Sequence, residues 1–116
     1  MPSVASALSN FGLRHLIRSN FPQARQALAK SLETWNEVGA PGRLGRAHTL
    51  IFLGDVCLSQ GDLQGAGQLY AEGQAIYESL GDINFMAYVV RRRGHLAWLL
   101  GDLQLGVPGE HDPGVL

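Results

Sequence analysis

The sequence predicts an all-α fold in which antiparallel helix pairs stack into a short right-handed superhelical array, five helices followed by an irregular C-terminal tail. Three observations carry this. The stretch LGDVCLSQGDL at Leu53–Leu63 returns as RGHLAWLLGDL at Arg93–Leu103, forty residues on, and Phe11-Gly12 and Asn20-Phe21 precede Leu53-Gly54 and Asp62-Leu63 by forty-two. Apolar residues recur with helical period between Gly-Asp pairs, the signal that stops one helix and caps the next. Small residues recur in phase with the repeat: Gly12, Gly54 and Gly94 in the first helix of each pair, Ala24, Ala66 and Gly106 in the second, with Ser31 and Gly73 alongside. A mid-helix Gly costs about 1 kcal/mol against Ala, so placing it at one register predicts close backbone approach there.

Each element follows from its own residues. The first helix is expected over about Ser3 to Arg18, with Leu8, Phe11 and His15 on its apolar stripe. Ser19-Asn20 makes the turn, Asn20 is placed to cap the next helix, and Pro22 falls in that helix's first turn, where its missing N–H costs little. Phe21, Ala24, Leu28, Trp35 and Val38 form the second stripe; Gly39 ends the helix and Pro41-Gly42 prevents its resumption. The third helix runs from about Arg43 to Gln60 and carries Ala47, Leu50, Phe52, Leu53, Cys57 and Leu58. Gly61 stops it, and Asp62 caps a fourth from Leu63 to Leu80, with a buried stripe of Leu63, Ala66, Tyr70, Gly73, Tyr77 and Leu80. After Gly81-Asp82 a fifth spans about Ile83 to Leu100 and meets Gly101-Asp102. Where a sixth helix belongs stand Gly106, Pro108, Gly109 and Pro113. Each interior Pro costs about 3 kcal/mol, so Gln104–Leu116 reads as an irregular tail with at most one helical turn. One domain over 1–116 is expected, with repeats over about 3–42 and 43–82 and an incomplete third over 83–103.

These residues resemble the tetratricopeptide repeat pattern: Leu50, Leu53-Gly54, Cys57, Ala66, Tyr70 and Gly73 in the second pair, and Leu8, Phe11-Gly12, His15, Ala24, Leu28 and Ser31 in the first. The third pair keeps Val90, Gly94 and Ala97, with Arg93 in place of the Leu. The period of 40–42 departs from the usual 34, and the family's proline near the end of the second helix is missing. The longer variant, closed by Leu-Gly-Asp, is similar to repeats in the sensor regions of bacterial maltose-regulator-like and LuxR-type regulators and of signal-transducing ATPases. The resemblance implies an interaction module, with the first helix of each pair lining a concave face.

Composition bounds the rest. Apolar residues at 46% and charged ones at 16% make a globular chain, and a net charge of −1 predicts no strong pull toward nucleic acid or anionic membrane. Cys57 is the only cysteine, so no intrachain disulfide or thiolate cluster forms, and a reducing, cytoplasmic setting is expected. The N-terminus lacks the basic and apolar regions of a signal peptide, and no apolar run approaches the roughly 20 residues that cross a bilayer. His15, His48, His95 and His111 lie on separate elements, without the spacing of a metal pair. Cys57 reads as a small buried hydrophobe. Gly42–Gly45 and Gly65-Ala66-Gly67 lack the strand and the Gly-Lys-Ser/Thr of a phosphate loop. Arg91, Arg92 and Arg93 project about 100° apart, which is not a DNA-reading patch. No catalytic activity, cofactor or metal is expected. The function expected is binding of a protein or peptide; the other reading is a structural or oligomerisation element with no ligand of its own.

On the concave face the implied stripe of the third helix is His48, Ile51, Asp55 and Leu58, and forty residues on it is Tyr88, Arg91, His95 and Trp98, with Arg92 beside it. Ser6, Ser9, Leu13 and Leu16 fall there on the first helix. The expected occupant is an extended or helical segment with an acidic group near Arg91 and apolar side chains near Tyr88 and Trp98; the plainer expectation pairs Asp55 with Arg91 or Arg92. Without a sixth helix the fifth exposes some of Val89, Val90, Leu96, Ala97, Leu99 and Leu100, which predicts a homodimer through the C-terminal end or, in a longer parent, continuation of the array.

Overall fold

The computed structural model describes the backbone of residues 4–105 and the side chains of 4–101. Its elements are α1 (Val4–Ile17), α2 (Phe21–Val38), α3 (Arg43–Ser59), α4 (Leu63–Leu80) and α5 (Ile83–Leu105), with a short 3-10 turn at Ala40–Gly42 leading into α3. No strand occurs among the described residues. The helices pack pairwise in sequence order, and α3 also touches α1, so α1, α3 and α5 form one layer and α2 and α4 the other.

Three of the turns share one backbone closure. Asn20, Asp62 and Asp82 donate their N–H to the carbonyls of His15, Cys57 and Tyr77, five residues back, at 2.8, 2.8 and 3.0 Å. The residue before each takes positive φ, 61° at Ser19, 85° at Gly61 and 70° at Gly81, the left-handed step that ends a helix. The Asp62 and Asp82 carboxylates then accept from the N–H groups of Gly65 (3.0 Å) and Phe85 (3.2 Å), capping α4 and α5. Asn20 departs from expectation: its side chain makes no capping bond and its amide lies 3.3 Å from His15 Nδ1. Pro22 has already removed one of the N–H groups that a cap serves.

The expected stop at Gly101-Asp102 is a second correction, since α5 runs on to Leu105. A Gly inside a helix costs only about 1 kcal/mol. The left-handed turn competes with that when a following helix packs back, as happens after Gly61 and Gly81 but not among the described residues after Gly101. The expected tail from Gly106 onward lies outside the described residues.

Small residues set the spacing within pairs. A Cβ on Gly12 would stand 2.6 Å from Leu28 Cγ, and one on Gly54 2.6 Å from Tyr70 Cε1. Ala24 and Ala66 are fully buried. At the same register Gly94 has nothing within 4 Å, because no second helix covers it among the described residues. Around these contacts the core divides in two. Ala24 and Leu28 of α2 meet Leu53 and Val56 of α3, while Tyr70 and Tyr77 of α4 sit among Ala47, Ile51 and Cys57 of α3 and Val89 and Leu96 of α5.

The apolar stripes need correcting: Phe11, midway along α1, is 53% exposed, Val38 and Leu80 at the ends of α2 and α4 are 47% and 40% exposed, and His15 is only half-buried. Buried in their stead are Ser31, Thr49 and Asp55. The hydroxyls satisfy one another. Ser9 Oγ lies 2.7 Å from both Ser31 Oγ and Thr49 Oγ1, Ser31 donates to the Ala5 carbonyl (2.8 Å), and Thr49 donates to that of Gly45 (2.9 Å). One polar knot thus ties α1, α2 and α3 together. The same register in α5 holds Val89, fully buried.

Candidate functional site

Three cavities run along the α1–α3–α5 layer and share walls. The first, about 460 Å³, lies between Ser6, Ser9, Asn10 and Leu13 of α1 and Leu44, Gly45, His48 and Phe52 of α3, with Trp35 and Phe85 completing it. A second, about 330 Å³, is enclosed by His48, Ile51 and Phe52 of α3, Tyr77 of α4, and Asn84, Phe85, Tyr88 and Arg91 of α5. Tyr88, Arg91, Arg92 and His95 line the third, about 280 Å³. His48, Phe52 and Phe85 belong to the first two and Tyr88 and Arg91 to the last two, so the cavities form one groove.

Its wall is built by local packing. Gly42 and Gly45 give room to the Trp35 indole; a Cβ on Gly42 would stand 2.7 Å from Trp35 Cε3, and one on Gly45 would overlap the six-membered ring. In the middle, His48 Nδ1 is 2.6 Å from the Tyr77 hydroxyl. Phe85 meets the His48 ring edge-on at 4.2 Å between centroids and stacks on Tyr77 at 5.3 Å. Burial holds the His48 pKa below its ordinary value, against the opposing pull of Asp82. Burial likewise pushes the Tyr77 phenol up, with Asp82 adding to it, so Tyr77 keeps its proton and shares a hydrogen bond with the imidazole whose direction follows the His48 tautomer.

Beneath the groove Asp55, 7% exposed, joins three helices. The Tyr70 hydroxyl of α4 donates to Oδ1 at 2.5 Å, the Tyr88 hydroxyl of α5 to Oδ2 at 2.8 Å, and Arg92 Nε stands 3.5 Å from Oδ1. The Arg92 guanidinium also lies 5.1 Å over the Tyr88 ring. Burial raises the pKa of both phenols, and the bond to Asp55 raises them further. The carboxylate therefore fixes α5 on the second pair.

Of the residues expected on the concave stripe, His48, Ile51, Tyr88, Arg91, Arg92 and His95 are brought to this groove, Ile51 as its floor at 1% exposure. Asp55, Leu58 and Trp98 line none of the three cavities. Asp55 is the buried partner of Arg92, the plainer of the two expectations. Leu58 packs against the larger core cluster. Trp98 lies 5.4 Å from the His95 ring with its Nε1 enclosed and no hydrogen-bond partner among the described residues. Sequence reasoning missed Trp35, Phe52, Tyr77, Asn84 and Phe85. Phe85 stands three residues before Tyr88, a visible helical step, but forty residues back its register holds Gly45, so the repeat offset pointed away from it.

Charge divides by layer. Helices α1, α3 and α5 carry Arg14, Arg43, Arg46, Arg91, Arg92 and Arg93 against Asp55 and Asp102. Helices α2 and α4 carry Glu33, Glu37, Glu72 and Glu78 against Arg25 and Lys30. The near-zero net charge conceals this uneven distribution; of these arginines Arg91 and Arg92 line the groove, whereas Arg46 and Arg93 reach side chains of α2 and α4.

A family model described as tetratricopeptide repeat matches residues 3–79. The chain belongs to the tetratricopeptide repeat family. The match spans both complete helix pairs, and α5 follows it. As a tetratricopeptide repeat domain the chain is a protein–protein interaction module. Comparison with curated proteins gave no match, and comparison with solved structures gave none. Among the described residues no helix is long and apolar enough to cross a membrane, and no group of three His, Cys, Asp or Glu side chains is placed to hold a metal ion.

Proposed function

We propose that the groove along α1, α3 and α5 binds an extended or helical segment of a partner protein. The observation that carries this is the run of three wall-sharing cavities, each of side-chain size, lined by three successive first helices. A displayed library of random 16-residue peptides, selected on the full chain, tests it. Enriched peptides should lose binding to a Phe85→Ala, Arg91→Ala variant of unchanged helicity and keep it to Glu72→Ala on α4. Equal binding to the groove variant contradicts the reading. Trp98 is left out of that variant because its indole is packed rather than presented. Within the family, the 40–42-residue period and the Leu80-Gly81-Asp82 closure of α4 support a place among the repeats of bacterial regulator sensor regions, in a cytoplasmic setting. An ATPase or helix-turn-helix domain in the same or an adjacent reading frame is the expected context, and its absence counts against that placement.

The face of α5 that no other described helix covers supports a second reading, self-association. Val90 is 53% exposed and Leu100 37%, and Gly94 is open, whereas one repeat earlier Leu50 is 1% exposed and Gly54 is filled against Tyr70. A second copy docked α5 to α5 would extend the α3–α4 type of contact across the end of the array. Sedimentation at high micromolar concentration should show a dimer that Val90→Glu dissociates; a monomeric parent chain excludes it.

A further inference from the structure

The chemistry of the groove wall specifies an occupant, given the groove reading on which this inference rests. The middle cavity, about 330 Å³, is walled by the rings of His48, Phe52, Tyr77, Phe85 and Tyr88. Of its ring-borne polar atoms, His48 Nδ1 and the Tyr77 hydroxyl face each other at 2.6 Å and the Tyr88 hydroxyl is held by Asp55, while Asn84 and Arg91 stand on the α5 wall. Most of the remaining wall is ring surface. An aromatic or branched aliphatic side chain gains by entering it, while a polar one leaves its hydrogen bonds unmade.

Charge distinguishes one end. Past Tyr88 the groove opens between Arg91, Arg92 and His95. Arg92 faces Asp55, Arg93 donates to Gln74 of α4 at 2.6 Å, and Arg46 donates to Asn36 and lies 3.7 Å from Glu72. Arg91 has no ion pair or side-chain hydrogen bond among the described residues, and it lines both the aromatic and the cationic cavity. No Asp or Glu lines any of the three cavities. One uncommitted guanidinium beside an apolar socket complements one carboxylate beside an apolar side chain. A polyanion fits less well, because phosphate chains need several free cations in a row and the neighbours of Arg91 are occupied.

We propose that the partner segment inserts an aromatic or branched aliphatic residue into the His48–Phe85 cavity and pairs a neighbouring Asp or Glu with Arg91. The probes are synthetic peptides Ser-Gly-Ser-Phe-Glu-Glu-Ser-Gly, the same with Gln for both Glu, and the same with Ala for Phe, together with a fifteen-nucleotide oligothymidylate. Amide shifts of the ¹⁵N-labelled full chain locate binding and give affinities, for the parent, Arg91→Gln and Phe85→Ala. The first peptide should shift amides around His48, Phe85 and Arg91. Its Gln counterpart should bind the parent about two- to fivefold more weakly, as for an exposed ion pair, and bind Arg91→Gln no differently from the Glu peptide. Replacing Phe by Ala, or Phe85 by Ala in a chain of unchanged helicity, should cost more than about tenfold. Equal affinity of Glu and Gln peptides for the parent overturns the acidic assignment and leaves the groove reading standing. Stronger shifts of the same amides by the oligonucleotide overturn it in favour of nucleic acid. If no peptide moves these amides at millimolar concentration, the groove reading itself fails.

Discussion

At pH 7 the His48 imidazole is neutral, because burial opposes its protonation more than Asp82 favours it. The unfolded chain protonates it near its ordinary value of 6.5, and the folded chain does so lower. Between the two the unfolded state binds more protons, so this group's stabilisation is present above the unfolded pKa and is lost as pH falls through the folded one. Urea unfolding at pH 7.5 and 5.5 should show the parent losing more stability than His48→Asn, and identical losses contradict the assignment. Tyr70 is the residue on which packing and polar satisfaction meet. Its ring fills the space at Gly54 and its hydroxyl binds Asp55. Tyr70→Ala should therefore cost about 3–5 kcal/mol in chemical denaturation, as for large core aromatics; a loss under about 1 kcal/mol contradicts this place in the core.

Helix by helix, the glycines of the repeat carry opposite expectations. Gly54→Ala drives a Cβ into the Tyr70 ring and should destabilise by about 1–3 kcal/mol. Gly94→Ala meets nothing and should stabilise by up to about 1 kcal/mol through helix propensity alone. Thermal unfolding of the two variants checks the pair, and the same sign for both contradicts the account of the open end. Most helix limits were legible, because Gly61-Asp62 and Gly81-Asp82 are local signals obeyed by local backbone. The end of α5 was not, since Gly101-Asp102 carries the same letters without a following helix packed against them. Hydropathy also hid Ser31, Thr49 and Asp55, whose burial depends on partners from other helices. It overstated Phe11, Val38 and Leu80, which lie where the stripe turns toward solvent at helix ends or edges.

For the whole molecule, the repeat offset located the groove layer and much of its α5 wall, since Tyr88, Arg91 and His95 are spaced by helical turns. It did not find the aromatic centre, which draws Tyr77 from the other layer and Phe85 from a register occupied by Gly45 one repeat earlier. Nor did net charge show that arginines gather on one layer and glutamates on the other. The proposed face for an acidic and apolar segment draws on Arg91 beside the aromatic cavity and on the Asp55 hydrogen bonds that hold α5 in place. Photocrosslinking tests that face most directly, with a benzophenone amino acid placed singly at Leu13, Leu44 and Asn84 on the groove and at Glu33, Glu72 and Glu78 on the opposite layer. A library-selected peptide should crosslink from the first three positions and not from the last three. Crosslinking from the α2 and α4 positions alone would place the binding surface on the other side of the array and contradict the account.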